Sequence, residues 1–373
     1  MLKKIIAAGH ICLDITPVFM ENKVNRIEEL LRPGKLINMK EADVHTGGSV
    51  ANTGLAMKFL GADVSLAGKV GKDAFGSMVK NMLDDYQAGE GLLIAEGEST
   101  SYSVILALEG IDRIFLHNSG ANDTFRAEDM PEEDLKEAAL FHFGYPPLMR
   151  NMYVNDGEEL VKLLQKAKAA GASTSLDMAS VDPFSEAGKA NWGKILERVI
   201  PYVDFFMPSI EELCYMLDKE NFARWQKRAS GRDITEILDV EKDIRPLAQK
   251  CMELGAKVLV IKCGALGLYY CTAGEEDLLN IGKKTEIDCR AWADKEGFEK
   301  SYVPERILSG TGAGDTSIAA FLTAMLQGYN LEDCMHLAAG TGASCVAAFD
   351  ALSGLKSFEE LNAKIRSGWK KCE

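Results

Sequence analysis

Apolar and polar residues alternate along this chain in two rhythms, one typical of buried strands and the other of amphipathic helices. From about residue 132, strand-like segments such as AALFHFG, STSLDMA, DFFMPS and KVLVIKCG are separated by segments with helical spacing, among them DGEELVKLLQKAKAAGA and DIRPLAQKCMELGA. Strands and helices that alternate with short connections form mostly parallel sheets with helices on both faces. The pattern therefore predicts an α/β fold with a central, mostly parallel sheet flanked by helices.

The N-terminal part also alternates between strand and helix patterns, and a predicted hairpin at residues 101–118 interrupts this order. KKIIAAGHICLDI predicts a buried strand that ends near Gly9 and then a second extended piece, and SVANTGLAMKFLGA predicts a helix from Ser49 that stops at Gly61. SYSVILALEGIDRIFLHN predicts two strands joined at residues 109–110. Because helical patterns flank this hairpin, we expect it to belong to a separate small sheet.

Composition and charge narrow the range of functions. Apolar residues make up 47% of the chain, which is enough for a sizeable core. There are 42 lysines and arginines against 56 aspartates and glutamates, a net charge of −14. This balance argues against nucleic acid as a partner, because binding to a phosphate backbone needs a basic surface, although a local pocket can still hold an anion. No run approaches the roughly 20 apolar residues of a membrane span.

The nine cysteines show no paired, metal-like spacing. Cys12, Cys263, Cys271 and Cys345 stand in apolar contexts, which indicates reduced core residues and a cytoplasmic protein. A catalytic cysteine stays possible, but no histidine stands out as its partner. The N-terminus has two lysines and a short apolar run, yet Asp14 follows too soon for a signal peptide.

The stretch GTGAGDTSIAAFLTAML concentrates small residues just before an apolar helix pattern. Gly312, Ala313 and Gly314 let backbone N–H groups converge on one point, and the N-terminus of the following helix adds positive potential. Together they predict an anion hole. Asp315, beside it, could take a proton from a hydroxyl that attacks a held phosphate. The alternative interpretation is that Asp315 only caps the helix and the glycines only make a tight turn.

Five stretches, in the same order along nearly the full chain, resemble the ribokinase-like family, also called the PfkB carbohydrate kinases. They are GHICLDI, HTGGSVANTGLAMKFLGADVSLAGKVGKDAFG, DFFMPSIEEL, VLVIKCGALGLYY and GTGAGD. The resemblance implies a ribokinase-like fold with a small β lid, and ATP-dependent phosphorylation of a hydroxyl of a small sugar or sugar acid. It implies a main domain of residues 1–12, 47–94 and 119–373, and a lid of residues 13–46 and 95–118.

The same resemblance assigns roles to individual residues. Asp315 would be the general base, and the amides of Gly312, Ala313 and Gly314 would hold the charge on the transferred phosphoryl group. The residues implied to bind substrate are Gly9, Asp14, Gly47, Gly48, Asn52 and, on the lid hairpin, Arg113. The residues implied to bind the nucleotide are Ser209, Glu212, Lys262, Gly264, Gly267 and Thr311. Glu212 would also order magnesium-bound water, because Mg²⁺ keeps most of its waters and needs few carboxylates.

Several of these residues have simpler interpretations when they are taken alone. Asp14 could be a strand-end residue, Asn52 a helix-start asparagine, Glu212 part of a solvated helix face and Arg113 an exposed arginine. Each of these alternatives stays open at the level of sequence.

This sequence departs from the family pattern at three places. Ser309 and Gly310 stand where the family usually has aspartate and threonine, and that aspartate commonly belongs to a monovalent cation site. Potassium activation is therefore possible but doubtful. Ser209 replaces the asparagine of the family's N-x-x-E stretch, and Lys262 replaces a frequent threonine. The lysine could pair with a nucleotide phosphate or simply end its strand.

Two rival functions share the same residues. A nucleoside kinase would also use Asp14, Asn52 and Asp315. Members of the family that bind nucleosides often place aromatic residues around the base, and this chain has candidates for that role, namely Phe19, Phe115, Phe143 and Tyr145. A catalytically weak, sugar-binding regulatory protein would keep the same fold. We expect MgATP and a small sugar as partners, no nucleic acid and no membrane, and a homodimer formed through the lid.

Overall fold

The computed structural model describes residues 2–20, 31–108 and 111–372, with the backbone alone at residues 111–113. Its strands are numbered here in chain order. They are β1 (Lys4–Gly9), β2 (Cys12–Thr16), β3 (Asp43–Gly47), β4 (Asp63–Ala67), β5 (Lys69–Gly71), β6 (Leu93–Ala95), β7 (Tyr102–Leu108), β8 (Ile111–Asn118), β9 (Leu140–Gly144), β10 (Ser173–Asp177), β11 (Phe205–Phe206), β12 (Val258–Lys262), β13 (Gly267–Thr272) and β14 (Glu296–Lys300).

An eight-stranded sheet in the order β14-β13-β12-β11-β10-β9-β1-β4 organises the fold. From β12 to β4 all neighbours are parallel, whereas β13 and β14 pair antiparallel at one edge. The expected mostly parallel sheet is confirmed. The parallel strands inside the edge strand β4 are almost entirely buried, which explains why β1, β9, β11 and β12 appear in the sequence as largely apolar runs.

Helices cover both faces of this sheet, as predicted. They are α1 (Ser49–Phe59), α2 (Ala74–Asp85), α3 (Glu132–Glu137), α4 (Arg150–Ala169, with non-helical backbone at 154–157), α5 (Glu186–Lys189), α6 (Trp192–Val199), α7 (Ile210–Leu217), α8 (Lys219–Ala229), α9 (Arg245–Glu253), α10 (Glu275–Leu278), α11 (Cys289–Trp292), α12 (Ala313–Leu326), α13 (Leu331–Cys345) and α14 (Phe358–Arg366).

The core has two apolar clusters, one on each side of the large sheet. Side chains alternate along β1, so that Ile5 packs with α1, α12 and α13, while Ile6 packs with α4, α6 and α7 on the opposite face. Helix α12 is buried from Asp315 to its end. Its small residues allow this close contact with its neighbours, and they hold its N-terminus at the carboxyl ends of the strands.

A second, four-stranded sheet has the order β3-β2-β7-β8. Strand β2 follows β1 after only His10 and Ile11, and β3 runs into α1 through Gly48, so this small sheet is joined closely to the large one. The predicted hairpin of β7 and β8 is confirmed. Its turn at residues 109–110 lies outside the described residues, as do residues 21–30, and the domain boundaries stay a prediction.

All nine cysteines are free thiols, and seven of them are buried. None of the helices within the described ranges combines the length and the apolar character needed to cross a membrane.

Candidate active site

The carboxylate of Asp315 is the centre of a buried hydrogen-bond cluster. Asp315 lies in the first turn of α12 and is only 4% exposed. Asn52 donates its amide to Oδ2 at 3.0 Å, and Thr53 donates its hydroxyl to Oδ1 at 3.2 Å. The hydroxyl of Tyr145 lies 2.8 Å from Oδ1 and 2.9 Å from Oδ2. Three uncharged donors therefore fix the orientation of this acid.

Tyr145 reaches Asp315 because the chain turns sharply at the end of β9. Its backbone is in the left-handed region, with φ of 65°, and its N–H donates to the carbonyl of Asp177 at 3.3 Å. Burial, and then the charge of Asp315, raise the pKa of Tyr145 well above its usual range. The phenol therefore stays protonated and acts as a donor.

The glycine-rich turn presents backbone N–H groups beside this acid. Gly312 precedes α12 with φ of 75°, a conformation that suits glycine. Its carbonyl accepts the first hydrogen bond of the helix, from Thr316 at 2.8 Å, so the amides of Gly314 and Asp315 come before the first intrahelical donor. The amide of Ala313 makes a long bond of 3.4 Å to Gly310. Such a helix start favours an anion.

A buried ion pair borders the same turn. The ammonium of Lys262, at the end of β12, donates to Oδ1 of Asp177, at the end of β10, at 2.5 Å. Burial raises the pKa of Asp177, the carboxylates of Glu212 and Asp315 add to this, and Lys262 opposes it. Burial lowers the pKa of Lys262, but the surrounding carboxylates outweigh it and the net shift is upward. The lysine therefore keeps its proton in this position.

Ser209 and Glu212 lie next to this pair, at the start of α7. The backbone of Ser209 bridges to Lys262. Ser209 and Glu212 form a capping box, in which the Ser209 N–H donates to Glu212 Oε2 at 2.8 Å and the Glu212 N–H donates to Ser209 Oγ at 3.3 Å. Glu212 is half-buried rather than part of a solvated helix face.

Asp14 stands on β2, in the four-stranded lid sheet. The thiol of Cys12 donates to its Oδ1 at 3.3 Å, and burial raises the pKa of Asp14. A side chain at Gly47 would overlap the Asp14 carboxylate, and one at Gly48 would overlap His10. The two glycines therefore make room for protein groups at this point. They also lead into α1, which carries Asn52 to Asp315.

The family model described as "pfkB family carbohydrate kinase" matches residues 10–356 of this chain. This chain belongs to the pfkB family of carbohydrate kinases. These enzymes are phosphotransferases, and the predicted family and enzyme class are confirmed.

Known proteins similar to this pfkB family kinase include both sugar and nucleoside kinases. Ribokinase from Arabidopsis thaliana is 24% identical over 333 residues, which are 88% of this chain and 74% of that protein. A 5-dehydro-2-deoxygluconokinase from Clostridium perfringens is 22% identical over 376 residues, covering 97% of this chain and 92% of that one. A nucleoside kinase from Methanocaldococcus jannaschii is 23% identical over 365 residues, covering 98% and 97%.

Solved structures show that the fold is ribokinase-like. The Arabidopsis thaliana ribokinase complexed with ribose and ATP matches with a TM-score of 0.71 at 20% identity, over 97% of this chain and 98% of that one. The Methanocaldococcus jannaschii nucleoside kinase matches with a TM-score of 0.66 at 19% identity, over 98% and 99%.

Among the residues that the structure describes, none of the remaining predicted site residues of this pfkB family kinase hydrogen-bonds to Asp315. Gly9 faces the backbone of Gly144 on the neighbouring strand. Gly264 is exposed and packs against Thr235, while Gly267 is buried against the backbone of β14. Thr311 donates its N–H to Ser309 Oγ at 3.1 Å. The side chain of Arg113 lies outside the described residues.

Sequence reasoning gave no role to Asp177, Thr53 or His10, and it named Tyr145 only as a possible aromatic contact. His10 is 2% exposed, its Nδ1 has no partner among the described residues, and its ring lies 6.2 Å from that of Tyr145. One signal for Asp177 was available, because it lies in the predicted strand STSLDMA, and strand carboxyl ends line ligand sites in such sheets.

Proposed function

We propose that this kinase transfers the terminal phosphate of ATP to a hydroxyl of a small sugar or sugar acid. The observation that carries the proposal is the position of Asp315, which is buried, held by three donors and set in the first turn of α12 beside the glycine-rich turn. A carboxylate in such a position suits proton removal from an alcohol next to a bound phosphate.

In the proposed reaction the substrate oxygen bonds to the terminal phosphorus, the bond from that phosphorus to the bridging oxygen breaks, and ADP leaves. Asp315 accepts the hydroxyl proton. The amides of Gly312, Ala313 and Gly314 stabilise the negative charge on the transferred group. The buried position of Asp315 supports this role, because water that entered would compete as acceptor.

We assign substrate binding to Gly9, Asp14, Gly47, Gly48, Asn52 and Arg113. Asp14 would accept hydrogen bonds from sugar hydroxyls, since a carboxylate has several acceptor sites. Asn52 donates to Asp315 and would contact the reacting hydroxyl from the same place. Gly9 and the two other glycines would contribute through the close approach of the backbone.

We assign nucleotide binding to Ser209, Glu212, Lys262, Gly264, Gly267 and Thr311. A magnesium ion fits these residues. No three candidate ligands cluster within the described part of the chain, and Mg²⁺ at nucleotide phosphates needs only one or two carboxylates with waters. Glu212 would hold the ion through water, and the ion would offset phosphate charge.

The nucleoside alternative loses three of its four aromatic residues, and only Phe115 on the lid stays exposed. Phe19 is 3% exposed, and Phe143 is fully buried against Phe125 and Phe141. Tyr145 is engaged with Asp315. A sugar is therefore the better substrate class.

Phe115 and Leu116 on β8 are 52% and 53% exposed, which supports the proposal that the lid forms a homodimer contact.

The test is ADP release from MgATP against a panel of sugars, sugar acids and nucleosides, with Asp315→Asn in parallel. We expect a sugar or sugar acid to give turnover that falls by about 10²–10⁴-fold in the variant. Turnover with nucleosides only would replace the substrate class. Silent wild type and variant that both still bind a sugar would replace catalysis with a binding role.

A further inference from the structure

The pair of Asp177 and Lys262 lies where a nucleotide phosphate would meet the protein. Registers place Gly9, Gly144 and Asp177 level with one another at the carboxyl ends of β1, β9 and β10. A Cβ added to Gly314 would lie 3.2 Å from Cδ of Lys262 and 3.7 Å from its Nζ. The lysine therefore packs directly against the predicted anion hole.

The main side-chain partner of Asp177 is the ammonium of Lys262. The side chain of Asp177 is fully buried. Oδ1 accepts from Lys262 and also from the N–H of Met178 at 2.8 Å. Oδ2 is buried and has no partner within the part of the chain that the structure describes. A pair of this kind contributes little net stability, because removing both charges from water costs about as much as their attraction returns. Its position at the ligand end of the sheet needs another explanation.

The charges around Lys262 explain why the pair lies at this end of the sheet. Three carboxylates, those of Asp177, Glu212 and Asp315, interact with Lys262 at this end of the cleft. A polyanionic nucleotide that enters would be repelled by the carboxylates and attracted by the ammonium. The side chain of Lys262 is long and flexible, and without a partner it could take many positions. A fixed partner confines its ammonium to the side of the glycine-rich turn.

We infer that Asp177 is a positioning residue that holds the ammonium of Lys262 against the glycine-rich turn, where the lysine contacts the terminal phosphate of the bound nucleotide. The inference rests on the proposed function and deepens it. The contact involves no covalent change, since the ammonium has three N–H donors and can bond a phosphate oxygen with one of them while another stays on Asp177.

Binding of two nucleotides, without chemistry, tests the inference. The magnesium complexes of ADP and of the non-hydrolysable ATP analogue AMP-PNP are titrated calorimetrically into wild type, Lys262→Met, Asp177→Ala, Asp177→Asn and the double variant Asp177→Ala/Lys262→Met. We expect Lys262→Met to lose at least about tenfold in affinity for AMP-PNP and less than about twofold for ADP. Asp177→Ala should behave in the same way. Asp177→Asn keeps an acceptor for the lysine and should stay within about threefold of wild type.

The double variant separates positioning from a merely structural role. If Asp177 acts through Lys262, adding Asp177→Ala to Lys262→Met changes the AMP-PNP to ADP ratio no further. Asp204 supplies a matched control, because it is also fully buried and paired with lysines, Lys168 at 2.7 Å and Lys257 at 3.1 Å, but precedes β11 at the opposite end of the sheet. Asp204→Ala should leave the ratio unchanged whatever it does to stability.

The inference is overturned if Lys262→Met binds AMP-PNP in preference to ADP as strongly as wild type does. This test does not need Asp177→Ala to fold. It is also overturned if Asp177→Ala weakens both nucleotides equally, or if its effect persists beside Lys262→Met. Failure of the proposed function has a different appearance. In that case no acceptor gives turnover, while the preference for AMP-PNP still depends on Lys262 and Asp177.

Discussion

The phenol of Tyr145 bridges both carboxylate oxygens of Asp315, at 2.8 and 2.9 Å, although the two residues are 170 positions apart in the chain. Strand β9 delivers the first and the start of helix α12 delivers the second, so the contact joins the sheet to the glycine-rich turn. A substrate hydroxyl that approaches Asp315 would meet an acid already oriented by this contact.

We predict that Tyr145→Phe lowers kcat by roughly tenfold, because one hydrogen bond to a charged group is worth about 1.5–3 kcal/mol and orients the base. The KM for MgATP should stay unchanged. Steady-state kinetics with the best acceptor of the panel measure both constants. The control is Tyr86→Phe, at a surface position that is 49% exposed. A Tyr145→Phe enzyme with wild-type kcat would contradict the orienting role.

Glu212 can be tested without disturbing its helix. Glutamine serves the capping box as well as glutamate does, so Glu212→Gln removes the charge and retains the cap. We expect the Mg²⁺ concentration for half-maximal activity to rise about tenfold while the melting temperature stays within about 1 °C, which is less than about 1 kcal/mol for a chain of this size.

Helix α14 offers the matched control for this experiment. Glu360 occupies the same capping-box position with Ser357. Its side chain is exposed, and it is not one of the predicted site residues. Glu360→Gln should change neither the Mg²⁺ requirement nor the melting temperature. An equal Mg²⁺ response in both variants would remove Glu212 from the proposed magnesium site.

Potassium should not activate this enzyme. At Ser309 a neutral hydroxyl replaces the usual carboxylate, and that hydroxyl already contacts Thr311, with 3.0 Å between the two oxygens. We expect kcat to agree within about twofold in potassium, sodium and tetramethylammonium chloride at equal ionic strength. Activation of tenfold or more by potassium alone would show that the turn still holds the ion.

Acid should destabilise the fold partly through His142. This side chain is fully buried on β9, and burial, followed by the charge of Lys262, lowers its pKa to about 3. The unfolded chain has the ordinary pKa of about 6.5. Between these values the unfolded state binds more protons, so the free energy of unfolding falls as the pH falls from about 6.5 towards 3.

Urea unfolding at pH 7, 6 and 5 measures this dependence. His142→Asn should reduce the loss of unfolding free energy between pH 6 and 5, by up to roughly 1.4 kcal/mol per pH unit. The exposed His45 provides the control substitution, His45→Asn. Identical pH slopes for wild type and His142→Asn would show that His142 does not contribute.

The large sheet, the hairpin and the helix after the glycine-rich turn were all predictable, because each has a strong apolar period. The antiparallel strands β13 and β14 were harder to place, since β14 reads EGFEK and only Glu299 of it is buried. Its sequence carries no apolar run. It joins the sheet through backbone pairing with β13, which hydrophobic periodicity does not report.

The site shows a similar division. A local motif identified Asp315 and its glycines, because all of its parts are consecutive in the sequence. Contacts between distant segments were not predictable in this way. Tyr145 meets Asp315, and Lys262 meets Asp177 across 85 positions, only because parallel strands end at one edge. A single sequence does not state which strands are neighbours, so the partners of these side chains became visible only in the fold.

The short link between the two sheets has a mechanical consequence. Ile11 connects β1 to β2, and the side chain of Asn122 grips its backbone on both sides, at 3.2 Å to its N–H and 2.8 Å to its carbonyl. The lid sheet is tied to the rest of the protein here and again at Gly48, which leads into α1 and so to Asn52. A displacement of the lid sheet would pass through Gly48 to α1 and so to Asn52 and Thr53, two of the three donors to Asp315. Under the proposed function, substrate binding at Asp14 and the orientation of the base at Asp315 would then be mechanically coupled.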